Sequence, residues 1–239
     1  MERAFTLTEF GARETASNAM AVMLARTLAD AIEAKGKASL MVSGGSTPGP
    51  AYKSLSHCEL DWASVTIGLV DERWVPPCDP ASNERLVRET LLQDRASAAA
   101  FLSMKTDDPV PSIAVAAVAA RYATALDFDA ITLGMGPDGH TASWFPGAKG
   151  AAEAMSPQNR QMVAAINADE SEVAGEHALR ITLTATAINT ASVACLLLFG
   201  DDKRRVFEAA AAASFDETGF PVSQAITDLS DRLHVYWAP

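Results

Sequence analysis

Short runs of β-branched and aliphatic residues alternate along this chain with longer stretches of helical period, and each run stops at Gly, Asp or Pro. Residues 12–34, rich in Ala, Leu and Met at spacings of three and four, predict a first helix. Residues 38–42 predict a buried strand that runs into Ser43-Gly44-Gly45-Ser46-Thr47-Pro48, where Thr47 is placed to cap a helix and Pro48 to fill its first turn. The unit recurs as a strand at 65–70, a loop at 71–80 and a helix at 82–92 with Ser82 or Asn83 near its start. A strand at 130–133 precedes Gly134-Met135-Gly136-Pro137-Asp138-Gly139-His140. Strands at 180–183 and 193–199 lead into helices at 184–189 and 202–213, and 233–237 predicts a closing strand. The Ala-rich patches at 96–100 and 209–213 read as helix-prone filler. Strands alternating with helices imply the α/β class, with a mostly parallel sheet covered on both faces. No repeat or linker divides the chain, so residues 1–239 are expected to form one domain.

In such sheets ligands sit beyond the carboxyl ends of the strands, so polar residues just after strands carry the most weight. Charge narrows the ligand class. Lys and Arg number 19 against 30 Asp and Glu, a formal net charge of -11, which disfavours nucleic acid. An anionic substrate would need a local basic island. Solubility and adaptation to a salty cytoplasm both fit the acidity. The three cysteines, Cys58, Cys78 and Cys195, are widely spaced and read as reduced, mostly buried thiols. The start, Met1-Glu2-Arg3-Ala4-Phe5, lacks a signal-peptide pattern, and no run approaches the ~18 apolar residues of a membrane helix. A soluble, cytoplasmic protein that contacts no membrane is expected.

Five segments at strand ends or starts carry useful chemistry. In Ser43 to Pro48 the glycines admit backbone N–H groups to an anion and the Ser46 and Thr47 hydroxyls add donors, although a tight turn alone would also require glycine. The Walker spacing is absent. In Asp71-Glu72-Arg73-Trp74-Val75-Pro76, Arg73 is either half of a surface ion pair or a planar grip on phosphate. Gly134 to Gly139 matches G-x-G-x-x-G, but Pro137 removes a donor, Pro146 stops a long helix and no acidic residue follows at ribose distance, so a dinucleotide is not expected. His140, two residues after Asp138, can take a proton near neutral pH while the carboxylate orients it, or it can be structural, as His57, His177 and His234 are taken to be. Arg180 begins a strand. After Gly200 an aspartate is expected to cap a helix whose first turn carries Lys203, a misplaced cation unless an anion shares the site; Arg204 and Arg205 fit a solvated face.

In order and spacing these segments, with Ser82-Asn83, Gly139-His140-Thr141-Ala142-Ser143 and Arg180-Ile181-Thr182-Leu183-Thr184, resemble the 6-phosphogluconolactonases, the lactone hydrolases of the oxidative pentose phosphate pathway, over nearly the whole chain. The resemblance implies a modified Rossmann-like three-layer sandwich shared with glucosamine-6-phosphate deaminases and ribose-5-phosphate isomerases. It also implies hydrolysis of 6-phospho-D-glucono-1,5-lactone without metal or cofactor. His140 looks like the family's base with Asp138 holding it, and Arg73 and Lys203 are similar to its phosphate ligands. The expected binding set is Gly44, Gly45, Ser46, Thr47, Asp71, Arg73, Arg180 and Lys203, for a small sugar phosphate and a monomer or homodimer. Family members commonly carry Leu where this chain has Trp144, a difference of local pocket shape. Two alternatives remain. A deaminase would carry an Asn-Glu pair where Trp144-Phe145 stands, and a sugar-phosphate sensor would need a DNA-binding extension.

Overall fold

The computed structural model describes residues 4–169 and 171–239. In chain order the elements are β1 (Thr6–Glu9), α1 (Arg13–Lys35), β2 (Ala38–Val42), α2 (Gly49–Ser56), β3 (Val65–Leu69), β4 (Asp71–Arg73), α3 (Asn83–Thr90), β5 (Ala100–Leu102), α4 (Pro111–Tyr122) and β6 (Ala130–Leu133). They continue as α5 (Ala151–Met155), β7 (Val163–Asn167), β8 (Leu179–Leu183), α6 (Ala185–Ile188), β9 (Val193–Phe199), α7 (Asp201–Ala212), α8 (Phe215–Thr218), α9 (Val222–Leu229) and β10 (Leu233–Ala238). Met1, Glu2 and Arg3 of the N-terminal reading lie outside the described residues.

Seven strands form the central sheet in the order β1-β10-β9-β6-β2-β3-β5, and every neighbouring pair is parallel. Helices cover both of its sides. All residues of β2 and β6 are buried, as befits central parallel strands with apolar runs rather than alternation. From β2 the chain steps outward to β3 and β5, then returns to place β6 on the other side of β2 and continues to β9 and β10. The reversal of strand order therefore falls between β2 and β6, so the loops after these two strands flank the crevice where such sheets bind ligands.

Several expectations need correction. Residues 71–80 are not all loop, because Asp71–Arg73 forms β4, antiparallel to β8. The run at 180–183 lies outside the parallel sheet and is the middle of a second, three-stranded antiparallel sheet, β4-β8-β7. The Thr47 cap is replaced by Pro48, whose carbonyl accepts from the Tyr52 N–H at 3.0 Å. No aspartate caps α7; Gly200, at φ +86°, precedes it and both aspartates lie in its first turn. Residues 96–98 sit in a 3-10 turn and Ala100 starts an edge strand, so that patch is not an α-helix. Cys78 is exposed and Cys58 half-buried, leaving Cys195 as the buried thiol.

Candidate active site

One cavity of about 250 Å³ opens at the carboxyl ends of the parallel strands. Its walls bring together Gly44, Gly45, Ser46, Thr47, Asp71, Arg73, Arg180, Lys203 and His140, residues that range over most of the chain. Asp138 stands behind His140. Arg73, Arg180 and Lys203 face the cavity with Asp71 as the one acidic wall residue among the described residues, so an acidic chain concentrates positive charge here. His57, His177 and His234 do not line it.

The loop after β2 is anchored at its root. The Ser43 N–H donates to Thr132 Oγ1 at 3.0 Å, and the buried Tyr52 hydroxyl donates to the Ser43 carbonyl at 2.8 Å. Burial pushes the Tyr52 phenol up to about 12, so it stays a neutral donor. Beyond that root, the N–H groups of Gly44, Gly45, Ser46 and Thr47 make no hydrogen bond with the described residues. Gly45 adopts φ +87°, which only glycine reaches without strain and which turns successive amides into a concavity suited to an anion.

Arg73 does not form the surface ion pair that was one reading of its segment. Asp71 and Glu72 are both buried, and the Arg73 Nη1 donates to Asn83 Oδ1 at 2.6 Å and to the Ala81 carbonyl at 3.0 Å. Arg180 is buried against the 171–178 segment, with Nε donating to the His177 carbonyl at 2.6 Å and Nη2 to the Ala174 carbonyl at 3.0 Å. Burial draws its guanidinium down to about 10, with Asp71 opposing, so it remains charged at neutral pH. Lys203 forms no ion pair among the described residues, and burial lowers its ammonium pKa. Its neighbours differ: Arg204 reaches Glu9 at 2.6 Å and Glu208 at 2.8 Å, and Arg205 pairs with Asp202.

On the same cavity, His140 Nδ1 lies 2.6 Å from Asp138 Oδ1, and the same oxygen accepts the His140 N–H at 3.2 Å. Partial burial pushes the Asp138 carboxyl up, but the hydrogen bond and charge of His140 outweigh it, and its pKa falls below the ordinary carboxylate value. With Nδ1 engaged, Nε2 is the ring nitrogen left for chemistry. Gly136 exists to admit this pair: a Cβ there would lie 2.1 Å from His140 Cε1 and 2.7 Å from Asp138 Oδ1. Of the other glycines in the G-x-G-x-x-G match, Gly139 sits at φ +73° with Phe220 2.6 Å from where its Cβ would be, and Gly134 has open room, so the match does not mark a dinucleotide loop. Phe145 lies tilted against the imidazole, ring centroids 4.4 Å apart at 38°, and the Arg180 guanidinium sits over its ring at 5.3 Å.

Two residues were not singled out as ligands or supports by sequence reasoning. Glu72 reads as one more surface charge, yet it is 1% exposed. Asn83 reads as a helix start and as part of the family resemblance, with no role at the site; it is buried on α3, whose N-cap Ser82 accepts from the Arg85 N–H at 3.2 Å, and it reaches the cavity wall. The spacing of Asp71-Glu72-Arg73 ahead of Ser82-Asn83 is the signal that a buried carboxylate meets a helix start. Among the described residues no group of His, Cys, Asp and Glu is arranged to hold a metal ion, and no helix is long and apolar enough to cross a membrane.

Comparison with known proteins agrees with this geometry. Residues 11–237 match the model of the glucosamine-6-phosphate isomerases/6-phosphogluconolactonase family. A 6-phosphogluconolactonase of Rhizobium meliloti is 42% identical over 224 residues, covering 93% of this chain and 94% of that protein. The crystal structure of a 6-phosphogluconolactonase from Shewanella baltica superposes with a TM-score of 0.92 at 36% identity over the full length of both chains. A monomeric glucosamine-6-phosphate deaminase shares the fold, with a TM-score of 0.78 at 20% identity over 98% of this chain and 97% of that one. The chain belongs to the glucosamine-6-phosphate isomerase/6-phosphogluconolactonase family.

Proposed function

We propose that the chain is a 6-phosphogluconolactonase that hydrolyses 6-phospho-D-glucono-1,5-lactone to 6-phosphogluconate in the oxidative pentose phosphate pathway, in the cytoplasm. The observation that carries this is the placement of the oriented His140–Asp138 pair, 2.6 Å apart, on the same cavity as two cations that form no ion pair among the described residues, Arg73 and Lys203. The lactone's phosphate docks on the 44–47 amides, Arg73 and Lys203. Binding energy from this non-reacting group then holds C1 beside His140. His140 Nε2 takes a proton from water as the water oxygen bonds to C1, giving a tetrahedral oxyanion. Asp138 fixes the ring and favours the imidazolium that forms. The intermediate collapses by breaking the bond from C1 to the ring oxygen, and the imidazolium returns the proton to that oxygen. One water is consumed, the base is regenerated, and the product is the open-chain acid.

The deaminase alternative lacks support at its distinguishing position. Trp144 fills it, fully buried, with its indole N–H donating to the Leu183 carbonyl at 3.0 Å, and Phe145 beside it has no titratable group. The lactone opens spontaneously, so the test is hydrolysis measured against a no-protein blank, with glucosamine 6-phosphate deamination assayed in parallel. Acceleration over the blank without deamination is expected. Deamination with no excess hydrolysis would overturn the proposal.

A further inference from the structure

Arg73 follows two carboxylates in sequence and pairs with neither. The Glu72 carboxylate is saturated by neutral donors: the N–H groups of Arg73 at 2.7 Å, Asn83 at 2.7 Å and Glu84 at 2.8 Å, and the Ser82 hydroxyl at 2.9 Å. Asp71 accepts from the Ser143 hydroxyl at 2.5 Å and from the Asn83 amide at 3.4 Å. Asn83 joins these parts. Its Nδ2 donates to the Asp71 carbonyl at 2.7 Å, and its Oδ1 accepts from Arg73 at 2.6 Å. Its side chain also lies across Gly44, where a Cβ would sit 1.8 Å from Asn83 Oδ1 and 2.7 Å from Nδ2. Being buried and bonded at both ends, the amide cannot swing aside.

We propose that Asn83 is a positioning residue for phosphate recognition: held at the Glu72-capped start of α3, it aims Arg73 through an uncharged tether, so that the guanidinium keeps its charge for an external phosphate. Gly44 is then glycine to make room for Asn83 rather than for the ligand. An aspartate in Asn83's place has the same shape and would supply an internal counterion that competes with phosphate. The inference rests on the reading of Arg73 as a phosphate ligand given above.

The test compares wild type with Asn83→Ala, Asn83→Asp, Gly44→Ala and the Gly44→Ala/Asn83→Ala double variant. Three quantities are read: kcat and KM for the phosphorylated lactone, the same for unphosphorylated glucono-1,5-lactone, and the Kd of inorganic phosphate by isothermal titration. Asn83→Asp should raise KM and the phosphate Kd by about tenfold or more, the scale of a charge-assisted hydrogen bond, with kcat moved by less than about twofold. Asn83→Ala should raise them less. Gly44→Ala should weaken phosphate binding in the wild-type background and add little in the Asn83→Ala background, a non-additivity that marks the contact. An unchanged phosphate Kd in Asn83→Asp, additive effects of the two alanines, or equal losses on both lactones would overturn the inference. Because phosphate binding is read without turnover, a wild type that binds phosphate but does not accelerate lactone hydrolysis refutes the proposed activity alone. One that binds no phosphate refutes the reading of Arg73 as a phosphate ligand, and the inference with it, whatever its activity.

Discussion

The loop at 43–48 follows β2 and the loop at 134–140 follows β6, the two strands that flank the reversal of strand order. In each, a glycine is required because a side chain lies across it: Asn83 across Gly44, and the His140–Asp138 pair across Gly136, with Phe220 likewise across Gly139. The first loop offers unengaged amides and two hydroxyls next to uncompensated cations, but no acid or base. The second offers an acid-base pair with Nδ1 already committed to a carboxylate. Under the proposed function, a similar local device would serve two ends of one substrate, the phosphate at one loop and the lactone carbonyl at the other. The comparison teaches that a glycine's meaning is set by what packs on it.

This division predicts that lesions at the two loops separate into kcat and KM. The largest effect is expected for His140→Ala, which should lower kcat by about 10²- to 10⁴-fold, the usual contribution of a positioned general base, while sparing affinity for 6-phosphogluconate. Stopped assays corrected for the blank would show it, and intact turnover would remove His140 as base. Next come Arg73→Ala and Lys203→Ala. Each removes a charged contact and should raise KM by about 10- to 100-fold with kcat little changed; an unchanged KM in both would end the phosphate assignment. Gly136→Ala should then lower kcat by about tenfold at constant KM, since a misplaced base costs rate rather than affinity. A KM effect without a kcat effect would blur the distinction between the loops.

The smallest effect concerns stability. Glu72 is pushed up to about 6 from 4.5 by burial, against the donors that surround it. The folded state holds this proton more tightly than the unfolded chain, so the group lowers stability as pH rises from 4.5 to about 6 and contributes no further change above that. The total is about 2 kcal/mol. Urea unfolding across that range should show Glu72→Gln losing this decline relative to wild type. Identical pH slopes would contradict the assignment.

The central parallel strands were legible because they are short, mainly apolar runs, as in Val193–Phe199, set between helical stretches, whereas edge strand β5 starts inside a patch that reads as helix-prone. The second sheet was not legible either. Asp71–Arg73 is three polar residues, and pairing with β8 is decided by tertiary contact rather than by alternation. Edge strand β1 is largely exposed, and its short alternation, with Phe5 and Leu7 half-buried between exposed Thr6 and Thr8, carries no expectation. Helix α4 did carry one: Pro111, Ala114, Val118 and Tyr122 are its buried face, at spacings of three and four behind a proline at its start. At the site, the strand-end rule located the loops after β2, β6 and β9 and the Asp71–Arg73 segment, whereas Arg180 reads as a strand start and the 171–178 segment, which brings Val173 to the wall, carries no expectation. What it could not supply were Glu72 and Asn83, because whether a charged or amide side chain is buried depends on which helix start folds back over it.

The most direct measurement is the ratio of kcat/KM for 6-phosphoglucono-1,5-lactone to that for unphosphorylated glucono-1,5-lactone, determined for wild type, Arg73→Ala and His140→Ala. If the two loops serve the two ends of one substrate, wild type strongly favours the phosphorylated lactone. Arg73→Ala then narrows the ratio chiefly through KM, and His140→Ala depresses both substrates together. A wild-type ratio near one, or a ratio that Arg73→Ala leaves unchanged, would contradict the account.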